Sequence, residues 1–114
     1  MPMISTQTTT PISAEQELAL KEKFGKAIEL LPGKTEAWLM LSFEDNCRLW
    51  FRGDNSKPLA YVEVSALGKI NPDAAESLTA EICDILKSVL GIDGDGIYIK
   101  YEETDKWGFD SSNF

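Results

Sequence analysis

The chain has 114 residues, a formal net charge of -8 and no histidine, and 43% of its residues are apolar. This length predicts a single domain over residues 1–114 with a small core, which oligomerisation would help to stabilise. The acidic balance argues against a nucleic-acid partner, because phosphates would be repelled. The absence of histidine excludes Ser-His and Cys-His catalysis and most zinc chemistry, so we expect no metal and no cofactor.

Targeting segments and cysteines point to one compartment. No apolar run approaches the roughly 18 residues of a membrane-spanning helix, so no membrane partner is expected. No basic and then apolar leader opens the chain, which predicts a cytoplasmic protein. Cys47 and Cys83 are far apart in sequence and lack neighbours at metal-ligand spacing. Both are therefore predicted to be free thiols in a reducing environment.

The first part of the chain predicts a strand followed by a helix. Residues 3–8 are mixed and rich in β-branched side chains, which favours a strand. Ser13 and Gln16 have the spacing of a capping box at a helix start. An apolar stripe at helical spacing follows: Leu20, Phe24, Ala27, Ile28 and Leu31. Pro32-Gly33 then ends the helix.

Two further strands are predicted before the middle of the chain. The apolar run 38–43 predicts a strand that is buried on both faces. After a turn, residues 49–51 predict a short returning strand, and a polar loop follows it.

The second half repeats the pattern of the first. Residues 59–67 predict a strand, Asn71 caps a helix, and Pro72 takes its first position, where a missing N–H costs nothing. The apolar stripe of this helix comprises Leu78, Ile82, Ile85, Leu86 and Val89. Gly91 ends it, and residues 97–101 form the closing strand.

These elements predict an α+β fold. Two β-α-β repeats would form a four-stranded mixed sheet with both helices on one face. Because the strands carry apolar side chains on both faces, the open face of the sheet would expose an apolar patch, which soluble monomers avoid. Packing between subunits in a closed ring would cover that patch.

Short segments along the chain match one known family, in order and at the family's spacing. Through them the chain resembles the macrophage migration inhibitory factor family of the tautomerase superfamily. This resemblance implies a homotrimer of subunits with the tautomerase fold, with active sites between subunits, and keto–enol tautomerisation of phenylpyruvate-like 2-oxo acids. The segments are Met1-Pro2-Met3, Gly33-Lys34, Ser65-Ala66-Leu67-Gly68-Lys69-Ile70, Ile97-Tyr98-Ile99 and the tail Trp107-Gly108-Phe109-Asp110-Ser111-Ser112-Asn113-Phe114.

The resemblance assigns the catalytic role to Pro2. Once Met1 is removed, which a small second residue permits, the nitrogen of Pro2 is a free secondary amine. Such an amine acts as a general base only when it is unprotonated. Burial in an apolar pocket and nearby cations would lower its pKa, and Lys34 is the cation at the matching position.

The resemblance also implies a set of substrate contacts. Lys34 would bind the substrate carboxylate, the backbone N–H at Leu67 would contact the substrate, and the hydroxyl of Tyr98 would enter the pocket from a neighbouring subunit. Trp107 and Phe109 would form an apolar wall for an aromatic ring. Each feature has a structural alternative: a solvated lysine, an ordinary strand end, a half-buried strand tyrosine, and a tail packed on the next subunit.

Position 100 departs from the family pattern, because it is Lys where the best-known members have Asn. Residues two apart on a strand share a face, so Lys100 should point the same way as Tyr98. A second cation near Pro2 would further lower the pKa of its amine and favour acidic substrates. The alternative is that Lys100 extends into solvent.

Other departures leave the function open. The family's animal members carry a Cys-x-x-Cys pair, and the matching residues 59–62 have no cysteine, so thiol redox activity is not expected. The leading hypothesis is a tautomerase. One alternative is a cytokine-like protein that engages a host receptor, with a vestigial pocket and with secretion that needs no signal peptide. Another is dehalogenation or decarboxylation, which typically uses paired arginines; Arg48 and Arg52 lie outside the matched positions.

Overall fold

The molecule is built from two strand–helix–strand units and a C-terminal hairpin. The computed structural model describes all residues, 1–114. No helix in it is long and apolar enough to cross a membrane. Its elements are β1 (Pro2–Thr8), α1 (Ala14–Ala27), β2 (Met40–Glu44), β3 (Ala60–Leu67), α2 (Pro72–Leu90), β4 (Ile97–Thr104), β5 (Gly108–Phe109) and β6 (Ser112–Asn113).

The four long strands form one mixed sheet in the order β2-β1-β3-β4. Within each unit the two strands are parallel, β1 with β2 and β3 with β4. The units join through the antiparallel pair β1 and β3, in which Pro2 lies opposite Ala66. The predicted α+β fold with a four-stranded mixed sheet is confirmed, and β1 is an inner strand paired along both edges.

The predicted helix signals lie where the sequence places them. The Ser13 hydroxyl accepts from the backbone N–H of Gln16, whose side chain accepts in return from the N–H of Ser13. Asn71 caps α2 by accepting from the N–H of Ala74. Gly91 ends α2 with φ 71°, a left-handed conformation that glycine adopts without steric cost.

Both helices pack on one face of the sheet. Alternate residues of β1 and β3 are buried beneath them, while the residues between are only half-buried. Each fully buried aliphatic side chain contributes about 1.5–3 kcal/mol through the surface it removes from water. The fully buried members of this core include Ile4, Leu20, Phe24, Val62, Val64, Leu78, Ile82 and Leu86.

The opposite face of the sheet is mostly polar, so the predicted apolar patch is wrong for its middle. One row of paired residues crosses all four strands as Ser42, Ser5, Glu63 and Lys100. The hydrophobic residues of β2 that suggested burial on both faces divide differently. Leu41 and Phe43 pack against the core, whereas the side chain of Met40 is 65% exposed. This face therefore tolerates water.

Two predicted strands differ from the structure. The run 38–43 splits into a 3₁₀ turn at Glu36–Trp38 and a strand that begins at Met40. Residues 49–51 are not a strand within the chain, since the single bridge there joins Phe51 to Asp54 across a tight turn. Both cysteines are free, as predicted.

We expect Ser13→Ala to lower the free energy of unfolding by about 1 kcal/mol, because it leaves the first turn of α1 without its acceptor. Ser13→Asp keeps an acceptor oxygen and should change the stability by much less. Chemical denaturation at one fixed protein concentration measures both. If the Asp variant loses as much stability as the Ala variant, the cap does not stabilise α1.

Candidate active site

The amino end of β1 lies beside the carboxyl end of β3 at one end of the sheet. Pro2 is buried opposite Ala66, and the carbonyl of Met1 accepts a hydrogen bond from the N–H of Leu67 at 2.9 Å. Gly68 follows with φ 88° and turns the chain away.

Lys34 reaches the same place from the end of the first helical segment. Gly33 has φ 80°, which reverses the chain and lets the N–H of Lys34 bond to the carbonyl of Leu31. The Lys34 ammonium then donates to the carbonyl of Leu67 at 2.8 Å. An ammonium has three donors, so two remain for an anion. Three predicted site residues, Pro2, Lys34 and Leu67, are thus brought together.

The surroundings of an amine at this end of the sheet change its pKa. The pKa of the Met1 α-amine is lowered from its ordinary value, first by burial and then by the charge and hydrogen bonding of Lys34. Both effects disfavour the protonated form. The nitrogen of Pro2 lies one residue further in, on a buried residue.

The C-terminal tail adds aromatic side chains at this end of the molecule. Its hairpin turns at Asp110 and Ser111 and places Phe109 with its ring centroid 5.3 Å from that of Trp38, edge to face. Phe114 stacks 6.1 Å from Phe109 and also contacts Trp38. These three rings, here called the aromatic cluster, are each about half exposed.

Only Phe109 of this cluster was predicted as a site residue. Trp107 is half-buried, and its carbonyl accepts from the N–H of Phe114, so it holds the hairpin closed. Trp38 was interpreted as part of a strand, although the signal was present: it comes four residues after Lys34 and two before Met40, which pairs with Met3. Register alone therefore places Trp38 beyond the Pro2 end of the sheet.

Tyr98 lies at the other end of the sheet. Pro2 is level with Ala66 and Glu103, whereas Tyr98 is five residues earlier on β4, about 17 Å away at 3.3 Å per residue. Its ring is 62% exposed and meets the ring of Phe51 edge to face at 4.9 Å. One chain therefore does not bring Tyr98 to Pro2.

The surroundings of Tyr98 are apolar. A pocket of about 210 Å³ opens beside it and is lined mostly by hydrophobic residues. Trp50, on its rim, is 67% exposed. We call this region the distal patch, and its residues are Leu49, Trp50, Phe51, Leu59, Ala60, Tyr61, Gly96, Ile97 and Tyr98.

Lys100 shares the open face with Tyr98, as the two-residue period requires, but carboxylates already surround it. Its ammonium lies 3.1 Å from Glu102 and 3.3 Å from Glu63. These partners, Glu102 first, raise the pKa of Lys100, so it stays charged. Glu63 also accepts from the Tyr61 hydroxyl at 2.6 Å, and that bond, with Lys100, lowers the pKa of Glu63.

Comparison with known proteins identifies the class. The family model described as macrophage migration inhibitory factor matches residues 1–113. A crystal structure of MIF2 from Leishmania major superimposes with a TM-score of 0.92 at 27% identity, covering 100% of this chain and 97% of the other. A macrophage migration inhibitory factor homologue from Prochlorococcus marinus gives 0.88 at 32% identity, covering 98% of each chain.

A curated relative agrees with these matches. The MIF-like protein mif-3 of Caenorhabditis elegans is 28% identical over 102 residues, which are 89% of this chain and 66% of the nematode protein. This chain thus spans just under two thirds of that relative's length. The fold is that of the tautomerase superfamily. Within it, the chain belongs to the macrophage migration inhibitory factor family.

We expect Lys34→Met to raise the pKa of the Met1 α-amine in the unprocessed chain towards its ordinary value of about 8, because the charge and the hydrogen bond of Lys34 are removed and only burial remains. Lys34→Arg keeps the charge and should preserve most of the lowering. An NMR titration of the labelled α-amine measures both variants. An unchanged pKa in Lys34→Met would show that burial alone lowers it.

Proposed function

We propose that the chain is a keto–enol tautomerase for phenylpyruvate-like 2-oxo acids, with the Pro2 amine as general base after Met1 is removed. Each 1–114 chain acts as one domain of a homotrimer, whose active sites lie between subunits. The supporting observation is that Pro2, Lys34 and Leu67 lie together at one end of the sheet. Burial and Lys34 lower the pKa of the Met1 α-amine at this place.

Removal of Met1 changes this edge in two ways that suit the reaction. It turns the Pro2 nitrogen into an amine with a lone pair, held by the ring and by the pairing of Pro2 with Ala66 of β3. It also frees the N–H of Leu67, whose partner is the Met1 carbonyl. A freed donor, a cation and a neutral amine then lie together at the end of the sheet, where they can contact an α-keto acid.

The proposed reaction is one proton transfer in each direction. The substrate carboxylate binds Lys34, and the freed N–H of Leu67 donates to the substrate. The Pro2 nitrogen takes a proton from the carbon beside the ketone, whose C–H electrons form the C=C bond as the carbonyl π electrons move to oxygen. The Tyr98 hydroxyl of a neighbouring subunit donates to that oxygen. Reprotonation of oxygen or carbon by the same groups gives enol or ketone.

The aromatic cluster supports an aromatic substrate side chain. Trp38 and Phe109 present half-exposed rings at the Pro2 end of the sheet. Offset or edge-to-face contacts with a phenyl ring each contribute about 0.5–1.5 kcal/mol beyond the area buried.

The distribution of apolar surface supports a closed ring. The aromatic cluster lies at one end of the sheet and the distal patch at the other, and in the proposed trimer each patch meets the other kind on a neighbouring subunit. Such a head-to-tail contact is heterologous, and it closes into a ring when the rotation allows. Residues 49–50 of the distal patch belong to no strand of the chain, and the outer edge of β2 is unpaired and can accept them.

We expect processed Pro2→Gly to lose at least about 100-fold in tautomerase rate, the scale of a general base. The wild-type rate should rise with pH as the amine loses its proton. Decay of the ultraviolet absorbance of the phenylpyruvate enol measures both. Protein that retains Met1 should be equally inactive. A processed trimer without activity would sink the enzyme proposal and favour a receptor-binding role.

The proposed ring predicts a specific sensitivity at the distal patch. Trp50→Glu should shift the protein from three times 12.7 kDa towards the monomer mass in sedimentation equilibrium, because a charge would be buried at the contact. Leu30→Glu is the matched control, since Leu30 is also exposed but lies on the helical side. A trimer that survives Trp50→Glu, or dissociates equally in both variants, would contradict this arrangement.

Lys100 and Glu63 should shift the acid limb of the pH profile in opposite directions. Lys100→Asn removes a cation, so the pKa of the Pro2 amine rises and the limb moves to higher pH. Glu63→Gln removes a carboxylate that neutralises Lys100, so the limb moves to lower pH. Rate profiles of both variants test this, and an unchanged limb in Lys100→Asn would place Lys100 outside the site.

A further inference from the structure

We infer that the residue preceding Pro2 is removed efficiently only before β1 enters the sheet, so that a chain which folds with Met1 in place matures at least about 100-fold more slowly. The inference concerns the state on which the proposed function rests. It is tested by cleavage, however, and stands or falls independently of the tautomerase activity.

The bond to be cut is held inside the fold. The carbonyl of Met1, which a peptidase must polarise and attack, is the acceptor for the N–H of Leu67 at 2.9 Å. On the other side of the bond, Pro2 is buried and opposite Ala66. Any residue placed before Pro2 would take the same position, because the antiparallel ladder fixes the direction of the chain there.

Presenting this bond to an enzyme requires part of the core to open. An aminopeptidase must enclose the terminal residue and the one that follows, so Pro2 has to leave β3. The residues after Pro2 resist the separation of β1 from β3, since Met3 pairs with both β2 and β3 and Ile4 is fully buried. Fraying of Met1 alone does not expose the scissile bond. Cleavage therefore depends on an opened state with a small population.

The chemical step is ordinary hydrolysis. A methionine-specific aminopeptidase adds water across the C–N bond between Met1 and Pro2. The Met1 carbonyl carbon gains the hydroxyl, the Pro2 nitrogen gains a proton, and free methionine leaves. The product amine has no counterpart in the folded precursor, where that nitrogen is a tertiary amide without a lone pair for base catalysis.

The experiment follows the loss of methionine by intact mass spectrometry. Folded full-length protein that retains Met1 is incubated with a methionine aminopeptidase, beside a free peptide of residues 1–8 and the same protein in urea, at a concentration the peptidase tolerates. A matched control protein carries Gly-Ser-Gly-Ser between Met1 and Pro2, which moves the scissile bond away from the fold and leaves a small second residue.

We expect the folded protein to be cleaved at least about 100-fold more slowly than the peptide, and the rate to rise with urea as the opened population grows. The extended control should be cleaved at close to the peptide rate while folded. Cleavage of the folded protein at the peptide rate would overturn the inference. So would equally slow cleavage of the extended control, because resistance would then not come from the seating of Met1.

Discussion

One backbone hydrogen bond, at the end of the β1–β3 ladder, fixes the positions of the candidate site residues at this end of the sheet. The N–H of Leu67 points at whatever precedes Pro2, and the carbonyl of the same residue holds Lys34. A ladder that stopped one residue earlier would leave Pro2 mobile and its nitrogen solvated. A ladder that continued further would keep the N–H of Leu67 paired within the sheet. The reactive constellation is thus a property of where pairing stops, and the helices on the far face matter because they anchor Ile4 and fix that register.

The two ends of the sheet carry different functional groups. The Pro2 end carries a cation, an amine position and a half-exposed aromatic cluster. The distal end offers the hydroxyl of Tyr98 on an apolar patch. Parallel pairing of β3 with β4 keeps these ends about 17 Å apart, so no rearrangement of side chains within one subunit can join them. Between these ends the middle of the open face is polar and can face water.

Local sequence signals predicted the parts of this fold that local chemistry determines. The capping box at Ser13 and the left-handed glycine at Gly91 have short-range causes, and both were found where expected. The interpretation of 38–43 failed because an apolar run does not reveal which surface each side chain meets. Trp38 and Met40 are apolar and yet exposed in the subunit, so their partners lie outside the information that periodicity carries. The role of the Leu67 N–H came only from the family resemblance, since a backbone donor leaves no trace in residue type.

Because the chain is acidic, Lys34 matters more for binding an anion. A net charge of -8 would repel the proposed 2-oxo acid substrate, and this long-range field would oppose its binding. At physiological ionic strength, however, that field is screened over about 8 Å, whereas a partly buried ammonium acts within contact distance and is screened much less. Lys100 cannot assume this role easily, because Glu63 and Glu102 already occupy its donors. Lys34 donates to a neutral carbonyl and forms no ion pair with a carboxylate of the chain. Its charge is uncompensated and therefore available both to an anion and to the neighbouring amine, whose protonation it opposes.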